Sequence, residues 1–133
     1  MDQMIRLAAE RGIADRFHFP GFMKGKQEYE VLKASDVYIM PSVSEPFGIS
    51  PLEAMRSGVP TIISKQSGVA EVLKHAIKVD FWDVDALADA IYALLAYPAL
   101  AEFAAKYGLN EVNTLKWENA AYLLKTIYEE LKR

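Results

Sequence analysis

The sequence predicts an α/β protein with a three-layer α/β/α arrangement, a mostly parallel sheet of about four strands, and consecutive helices at its C-terminal end. Short apolar runs alternate with longer amphipathic segments over the first two-thirds of the chain, which is the pattern of parallel strands joined by helical crossovers. Residues 37–40 (VYIM) and 60–63 (PTII) are almost wholly apolar, as strands covered on both faces are. With 133 residues, we expect a single domain over residues 1–133 that encloses a core.

Glycine and proline mark the element boundaries in the first half of the chain. Gly12 follows a periodic segment and is typical of a helix C-terminal cap. Pro20 ends a short aromatic run, and Pro41 ends a compact apolar run. The predicted elements are a helix at residues 2–11, a strand at 17–19, a helix at 27–34 and a strand at 36–40.

The second half continues this alternation and then becomes wholly helical. Gly58 closes a short helix, and Asp83 is a typical N-cap for the helix that follows it. That helix carries apolar residues at three- and four-residue spacing. The predicted elements are a helix at residues 51–57, a strand at 59–63, a helix at 69–75, a strand at 77–79, and helices at 83–96, 98–107 and 117–132.

Composition excludes several classes of protein. The net charge is −3 without a basic block, so the electrostatic footprint of a nucleic-acid partner is missing. The sequence has no cysteine, which excludes disulfides, a thiolate nucleophile and thiolate metal sites. The first residues lack the apolar core of a signal peptide, and no apolar run approaches membrane-spanning length. We therefore expect a cytoplasmic protein, with peripheral contact to a membrane surface left open.

Two carboxylates eight positions apart, Glu45 and Glu53, are the main candidate site residues. Glu45 follows a buried strand in a loop where no local structure needs an acid, although solvated loop acids are common. Glu53 has a local explanation, because Ser50, Pro51 and Glu53 match the N-cap, first and third positions of a capping box. In open parallel sheets, ligands bind beyond the carboxyl ends of the strands, and this segment follows such an end.

The residues between the two carboxylates suit a phosphate. Gly48 lets the backbone approach a ligand closely, and the N–H groups at a helix start favour an anion. A carboxylate is instead a good acceptor for sugar hydroxyls. The segment thus indicates a mixed ligand with phosphates at the helix start and hydroxyl-rich parts near Glu45 and Glu53. A nucleotide sugar has this layout.

A combination of motifs resembles the retaining glycosyltransferases of the GT-B class. The motifs are PS at 41–42, EPFG at 45–48, LEAM at 52–55 and GVP at 58–60. Glu45 and Glu53 match the family's signature of two glutamates separated by seven residues. Residues 67–71 (SGVAE) resemble its Gly-Gly-x-x-Glu motif, with Ser67 in place of the first glycine. The similarity covers nearly the whole chain and is greatest to the family of glycogen and sucrose synthases and bacterial mannosyl- and glucosyltransferases.

The resemblance implies a Rossmann-like, donor-binding C-terminal domain and a role for each matching residue. Glu45 would be catalytic, because it would contact donor-sugar hydroxyls and support charge at the reacting carbon. Ser50 would touch the diphosphate, and Glu53 would accept hydrogen bonds from the ribose. The other donor-binding residues would be Phe47, Gly48 and Ile49 beside the sugar and phosphates, and Gly21 and Phe22 near the base.

The resemblance also implies the chemistry. A hexosyl group would pass from a nucleoside-diphosphate sugar to an acceptor with retention of anomeric configuration. The transition state would be oxocarbenium-like and would require stabilisation of the leaving diphosphate. The family uses no cofactor and no catalytic metal of its own. Glucose is mildly favoured as the sugar, whereas the base and the acceptor are not indicated.

The family further places an Arg and a Lys against the diphosphate, and an acceptor domain, in segments that would precede residue 1. We therefore expect an N-terminally shortened domain that is inactive alone, and whose free sheet edge favours self-association. A non-catalytic nucleotide-binding or regulatory module is the alternative that the sequence leaves open. Intact Glu45, Gly48 and Glu53 argue against a purely structural domain.

Other polar residues have simpler explanations. His18 is expected in a strand core or edge, and His75 at a helix end, where a cation suits the dipole. The two histidines show no metal-ligand spacing, so we expect no metal site. The further site candidates are Lys65, which follows a strand end, and Gly68 and Glu71, which belong to the SGVAE match.

Overall fold

Three parallel strands and six α-helices make up the part of the chain, residues 2–132, that the computed structural model describes. The strands are β1 (Tyr38–Met40), β2 (Thr61–Ser64) and β3 (Ile77–Val79). The helices are α1 (Asp2–Glu10), α2 (Lys26–Lys33), α3 (Ser50–Arg56), α4 (Val84–Ala96), α5 (Pro98–Thr114) and α6 (Trp117–Glu130). Short 3-10 helices lie at Ala14–Arg16 and Gly68–Glu71.

The core forms on both faces of the central strand. The strand order is β1-β2-β3, all parallel, and every residue of β2 is buried. Side chains alternate between the faces of a strand, so Ile62 and Ile63 point to opposite sides. Ile63 packs in a cluster with Met40, Met55, Val69, Ala70, Leu73, Ala76 and Val112. Ile62 packs in a second cluster with Val79, Leu94 and Ala104. The predicted α/β fold with a parallel sheet and C-terminal helices is confirmed.

The predicted strand at residues 17–19 is wrong, and within residues 2–132 the sheet has three strands instead of about four. These residues have no regular structure, and the rings of Phe17 and Phe19 stack 6.3 Å apart while both remain half-exposed. An extended segment becomes a strand only when a neighbouring strand satisfies its backbone groups. No described strand pairs with this segment.

The predicted helix at residues 69–75 is also shorter in the structure, where only Gly68–Glu71 form a 3-10 helix. The backbone N–H groups of Lys74 and His75 donate to the Glu111 carboxylate at 2.8 and 2.9 Å. These amides are thereby engaged by α5 and do not extend the helix. By contrast, α5 continues beyond the predicted end at residue 107 to Thr114.

The long helices differ in how they are covered. Asp83 caps α4 as predicted, since its carboxylate accepts from the Ala86 N–H at 2.9 Å. Gly108 lets α5 pack closely on α3, because a Cβ atom there would lie 2.8 Å from Met55 Cε. The last helix, α6, has no buried residue. No single described helix is long and apolar enough to cross a membrane, and α4 and α5 reach that threshold only as a pair bent by 99°.

Candidate functional site

The loop that carries Glu45 is held in place by backbone hydrogen bonds to the segment after β2. Glu45 and Ser67 form an isolated parallel bridge. The Gly68 N–H donates to the Glu45 carbonyl at 2.8 Å, and the Val69 N–H donates to the Phe47 carbonyl at 2.9 Å. The candidate Gly68 therefore has a positioning role, since a Cβ atom there would lie 2.0 Å from the Pro46 carbonyl oxygen.

Gly48 turns the chain back beneath the Glu45 side chain. Its φ angle of +88° lies in the left-handed region that favours glycine. A Cβ atom at this position would lie 3.1 Å from both Glu45 Cγ and Met40 Cε. The backbone conformation therefore favours glycine, and a Cβ atom would also crowd the Glu45 and Met40 side chains. The neighbouring Phe47 and Ile49 side chains are exposed.

The predicted capping box at the start of α3 is not formed. Ile49, not Ser50, is the N-cap, and Ser50 is already the first helical residue. The Leu52 and Glu53 N–H groups donate to the Ile49 carbonyl at 2.9 and 3.1 Å. The Ser50 hydroxyl lies one position too far along the helix to cap it, and it accepts a hydrogen bond from the Tyr38 hydroxyl at 2.7 Å.

The Glu53 carboxylate is thereby left available. It is exposed and makes no side-chain hydrogen bond within the described part of the chain. It lines a groove between α2 and α3 with a volume of about 360 Å³. The other residues that line this groove are Gly25, Glu28, Tyr29, Leu32, Arg56 and Ser57.

The Tyr38 hydroxyl is affected by the negative charges of three glutamates. Burial raises the pKa of Tyr38, and the negative charges of Glu53, Glu28 and Glu45 raise this pKa further, while the bond with Ser50 acts in the opposite sense. Glu45 and Glu53 therefore both influence the half-buried phenol of Tyr38, the first residue of β1. Tyr38 and Glu28 were not predicted as site residues, although the position of Tyr38 in the strand immediately before the PS motif was an available signal.

Gly21 and Phe22 lie away from the groove that holds Glu53. Phe22 is 85% exposed and lines a second cavity of about 440 Å³. That cavity uses Gln27, Glu30, Val31 and Ala34 of α2, whereas the first groove uses Glu28, Tyr29 and Leu32. The two cavities therefore lie on different faces of α2. The structure does not bring Phe22 together with Glu53.

The candidate Lys65 is engaged at the end of β3. Its ammonium group pairs with the Asp80 carboxylate at 2.8 Å, and Gln66 Nε2 donates to the same carboxylate at 2.9 Å. These bonds hold the pKa of Asp80 below its usual value, and the bond from Lys65 has the largest effect. The Lys65 ammonium group is therefore occupied by Asp80.

The candidate Glu71 is exposed and is the last residue of the 3-10 helix Gly68–Glu71.

The two histidines differ from their expected positions. His18 is exposed in an irregular segment, so it is neither a core nor a strand residue. His75 Nδ1 lies 3.0 Å from a Glu111 carboxylate oxygen, and its ring stacks on Tyr107 with 5.7 Å between ring centroids. Within residues 2–132, no group of three His, Cys, Asp or Glu side chains is placed to hold a metal ion.

These features give a parallel α/β sheet in which the first strand leads into the Glu45 loop, and a groove between α2 and α3 that Glu28 and Glu53 help to line. The family model described as "Glycosyl transferases group 1" matches residues 1–111. This match covers most of the chain, and the chain belongs to the group 1 glycosyltransferases.

Curated relatives agree with this assignment. The chain is 29% identical over 133 residues to an uncharacterized glycosyltransferase of Methanocaldococcus jannaschii, with 96% of this chain and 34% of that protein covered. It is 35% identical over 128 residues to a lipopolysaccharide core biosynthesis glycosyltransferase of Rhizobium meliloti, with 92% of this chain and 37% of that protein covered. The chain spans about a third of the length of these relatives.

Solved structures show the fold. The chain is similar to sucrose-phosphate synthase from Thermosynechococcus elongatus, at 33% identity and a TM-score of 0.83, over 98% of this chain and 34% of that one. It is similar to the C-terminal domain of a group 1 glycosyltransferase from Francisella tularensis, at 24% identity and a TM-score of 0.76, over 85% and 60%. Anabaena HepE in complex with UDP and glucose is similar at 20% identity and a TM-score of 0.81, over 98% and 36%. The fold is that of a GT-B C-terminal domain.

Proposed function

We propose that this chain is the donor-binding part of a retaining glycosyltransferase that transfers a hexosyl group from a nucleoside-diphosphate sugar to an acceptor. The observation that carries the proposal is the exposed Glu53 carboxylate in the groove between α2 and α3, with Glu45 held by backbone hydrogen bonds on the loop that leads into α3. Hydroxyl-rich ligands suit such a group of carboxylate acceptors.

The groove suits the nucleoside end of the donor. Glu53 is exposed and has no competing hydrogen bond among the described residues, so its carboxylate can accept from both ribose hydroxyls. The half-exposed Tyr29 ring lines the same groove and offers a flat apolar face. The base near Gly21 and Phe22 stays a prediction of the family resemblance, with Phe22 on the other face of α2.

The hexose would lie at the Glu45 loop, next to the backbone of Phe47, Gly48 and Ile49. The Glu45 carboxylate would accept from sugar hydroxyls and stabilise positive charge at the reacting carbon. Ser50 follows this backbone directly, and its contact with the diphosphate stays a prediction. Tyr38 is a positioning residue, because its hydroxyl holds the Ser50 side chain at 2.7 Å.

We also propose that this chain does not catalyse transfer alone. The leaving diphosphate requires positive charge nearby, a role that the family resemblance gives to an Arg and a Lys. Among the described residues, Lys65 is engaged by Asp80, and Arg56 lines the groove with Glu28 and Glu53 and not the Glu45 loop. An acceptor domain and cationic residues of the same polypeptide would complete the enzyme. A non-catalytic nucleotide-binding module is the second candidate, favoured by the engagement of Lys65 with Asp80. An assay of hexosyl transfer by a polypeptide that includes the acceptor domain distinguishes the two candidates, because only the enzyme would transfer the sugar.

Association through the free edge of β1 stays a prediction. Ile39 in this edge strand is 37% exposed, and an unpaired edge offers backbone groups to a further strand. The strand is only three residues long, so pairing with a further strand would add few backbone hydrogen bonds to the stability of an assembly.

Calorimetric titration with ADP, UDP and GDP tests the donor site. We expect one nucleotide to bind selectively, and Glu53→Gln to weaken its binding by about 1–3 kcal/mol, since a charged acceptor is lost. Glu102→Gln, an equal charge change at an exposed position on α5, is the control. Because no capping box is present, Glu53→Gln is expected to leave the free energy of unfolding unchanged. Equal affinity in both variants would remove the ribose role of Glu53.

A further inference from the structure

The groove that holds Glu53 has one face of α2 and one face of α3 as its walls. Residues three and four positions apart lie on the same face of a helix. The lining residues with this spacing include Glu28, Tyr29 and Leu32 of α2, and Glu53 and Arg56 of α3. The volume of about 360 Å³ lies at the lower end of the range of about 300–1,000 Å³ for small-molecule sites. This volume suits a ligand of the size of a nucleoside.

Charged groups of both signs line this groove. Glu28 is half-buried in the α2 wall, and its carboxylate makes no ion pair or side-chain hydrogen bond within residues 2–132. Arg56 is exposed in the α3 wall, and in the same part of the chain no ion pair joins it to Glu28 or Glu53. Besides Glu53, the groove therefore offers a carboxylate that only accepts hydrogen bonds and a guanidinium that only donates them.

The pairing chemistry of a carboxylate distinguishes among the bases. A base is bonded directly to its ribose, so a ribose held by Glu53 places the base among the other groove residues. A carboxylate pairs best with two adjacent N–H donors, and guanine presents two such donors, N1–H and N2–H. Uracil flanks its single N3–H with carbonyl oxygens, and adenine and cytosine place a ring-nitrogen acceptor beside the amino group. These three bases therefore set an acceptor against the carboxylate.

We propose that Glu28 selects guanine, so that the donor is a guanosine-diphosphate hexose. The Glu28 carboxylate accepts from N1–H and N2–H, and Arg56 donates to O6, an acceptor that arginine commonly contacts on guanine. The Tyr29 ring stacks on the base without choosing among bases. This inference rests on the proposed function, since it requires Glu53 to hold the ribose. The phosphates lie outside the groove, away from the two carboxylates that would repel them.

Calorimetric titration of the 133-residue chain with GDP, inosine diphosphate (IDP), ADP and UDP tests the proposal. IDP is GDP without the 2-amino group, so it keeps O6 and N1–H but lacks one of the two donors to Glu28. We expect GDP to bind about tenfold more tightly than IDP, and ADP and UDP to bind more weakly still. Glu28→Ala should make the affinities for GDP and IDP equal. Arg56→Ala should weaken both by the same factor, because both carry O6.

Glu30→Ala is the matched control, because Glu30 lies on α2 but lines the cavity beside Phe22. It should preserve the ratio of the GDP and IDP affinities. Circular dichroism should show all three variants folded, since none of the three residues is buried.

Four outcomes would contradict the assignment of guanine to Glu28. A ratio of GDP to IDP affinities that Glu30→Ala abolishes and Glu28→Ala preserves places the base beside Phe22 and overturns the proposal. Equal affinity of the original chain for GDP and IDP, or tighter binding of UDP or ADP than of GDP, overturns the choice of guanine but leaves the proposed function standing. A chain that binds none of the four nucleotides overturns both.

Discussion

At the residue scale, glycines position the candidate site more directly than the acids do. Gly68 allows the segment after β2 to bond to the Glu45 loop, and Gly48 allows Glu45 to lie against the backbone. The sequence identified both glycines through the motif, but it assigned them to ligand contact. Their steric role became visible only from the distances to atoms of the neighbouring loop.

Gly68→Ala is expected to destabilise the fold by about 3 kcal/mol, since the new Cβ atom would displace the Pro46 backbone. It should also weaken nucleotide-sugar binding because the Glu45 loop moves. Gly58→Ala is the control, since Gly58 has a φ of +77° and open space around it; backbone strain alone should cost about 1 kcal/mol. Chemical denaturation of both variants measures the difference. A Gly68→Ala protein as stable as the original would contradict the inference that close packing of Gly68 on Pro46 holds the Glu45 loop in place.

At the scale of elements, Glu111 connects α5 to the turn that supports the site. Its carboxylate accepts from the N–H groups of Lys74 and His75 and lies 3.0 Å from the His75 ring nitrogen. Burial alone would raise the pKa of Glu111, but these hydrogen bonds outweigh burial and hold the pKa below its ordinary value of 4.5. This tie keeps the 3-10 helix short, and the same segment holds the Glu45 loop.

Glu111→Gln is expected to lower the free energy of unfolding near pH 7 by about 1–2 kcal/mol, because one charged acceptor is lost. The folded-state pKa of Glu111 is depressed, so its stabilisation is fully present above pH 4.5 and is lost as the pH falls through the folded-state pKa. The difference in free energy of unfolding between the original chain and Glu111→Gln should therefore become smaller as the pH falls. Urea denaturation from pH 7 down to pH 3 measures it.

Glu102→Gln, on the same helix but exposed, is the matched control at each pH. A constant gap between Glu111→Gln and the original chain across this range would mean that the carboxylate charge does not contribute. In that case the contact would act through shape and hydrogen bonding alone.

At the scale of the whole molecule, the chain divides into a sheet with its packed helices and a terminal helix outside that core. The apolar clusters around Ile62 and Ile63 involve the strands, α3, α4 and α5, whereas no residue of α6 is buried. Cooperative unfolding should therefore report on the core and not on α6.

Ending the chain after Lys116 is expected to change the free energy of unfolding by less than about 1 kcal/mol, because no buried contact is lost. The measurement is urea denaturation of both chains at the same dilute protein concentration, since association would otherwise add stability to the full chain. Loss of cooperative unfolding would contradict the division between core and α6.

The sequence by itself determined the α/β class, the parallel strands, the C-terminal helices and the two glutamates of the candidate site, because these follow from local periodicity and motif spacing. Tertiary structure decided the rest. The strand at residues 17–19 did not form because strand pairing is non-local, and the capping box did not form because α3 begins one residue earlier than that pattern requires, with Ile49 instead of Ser50 as the N-cap. Tyr38, Glu28 and Glu111 act on groups far away in sequence. Only packing, which brings distant segments within hydrogen-bond distance, assigns roles of that kind.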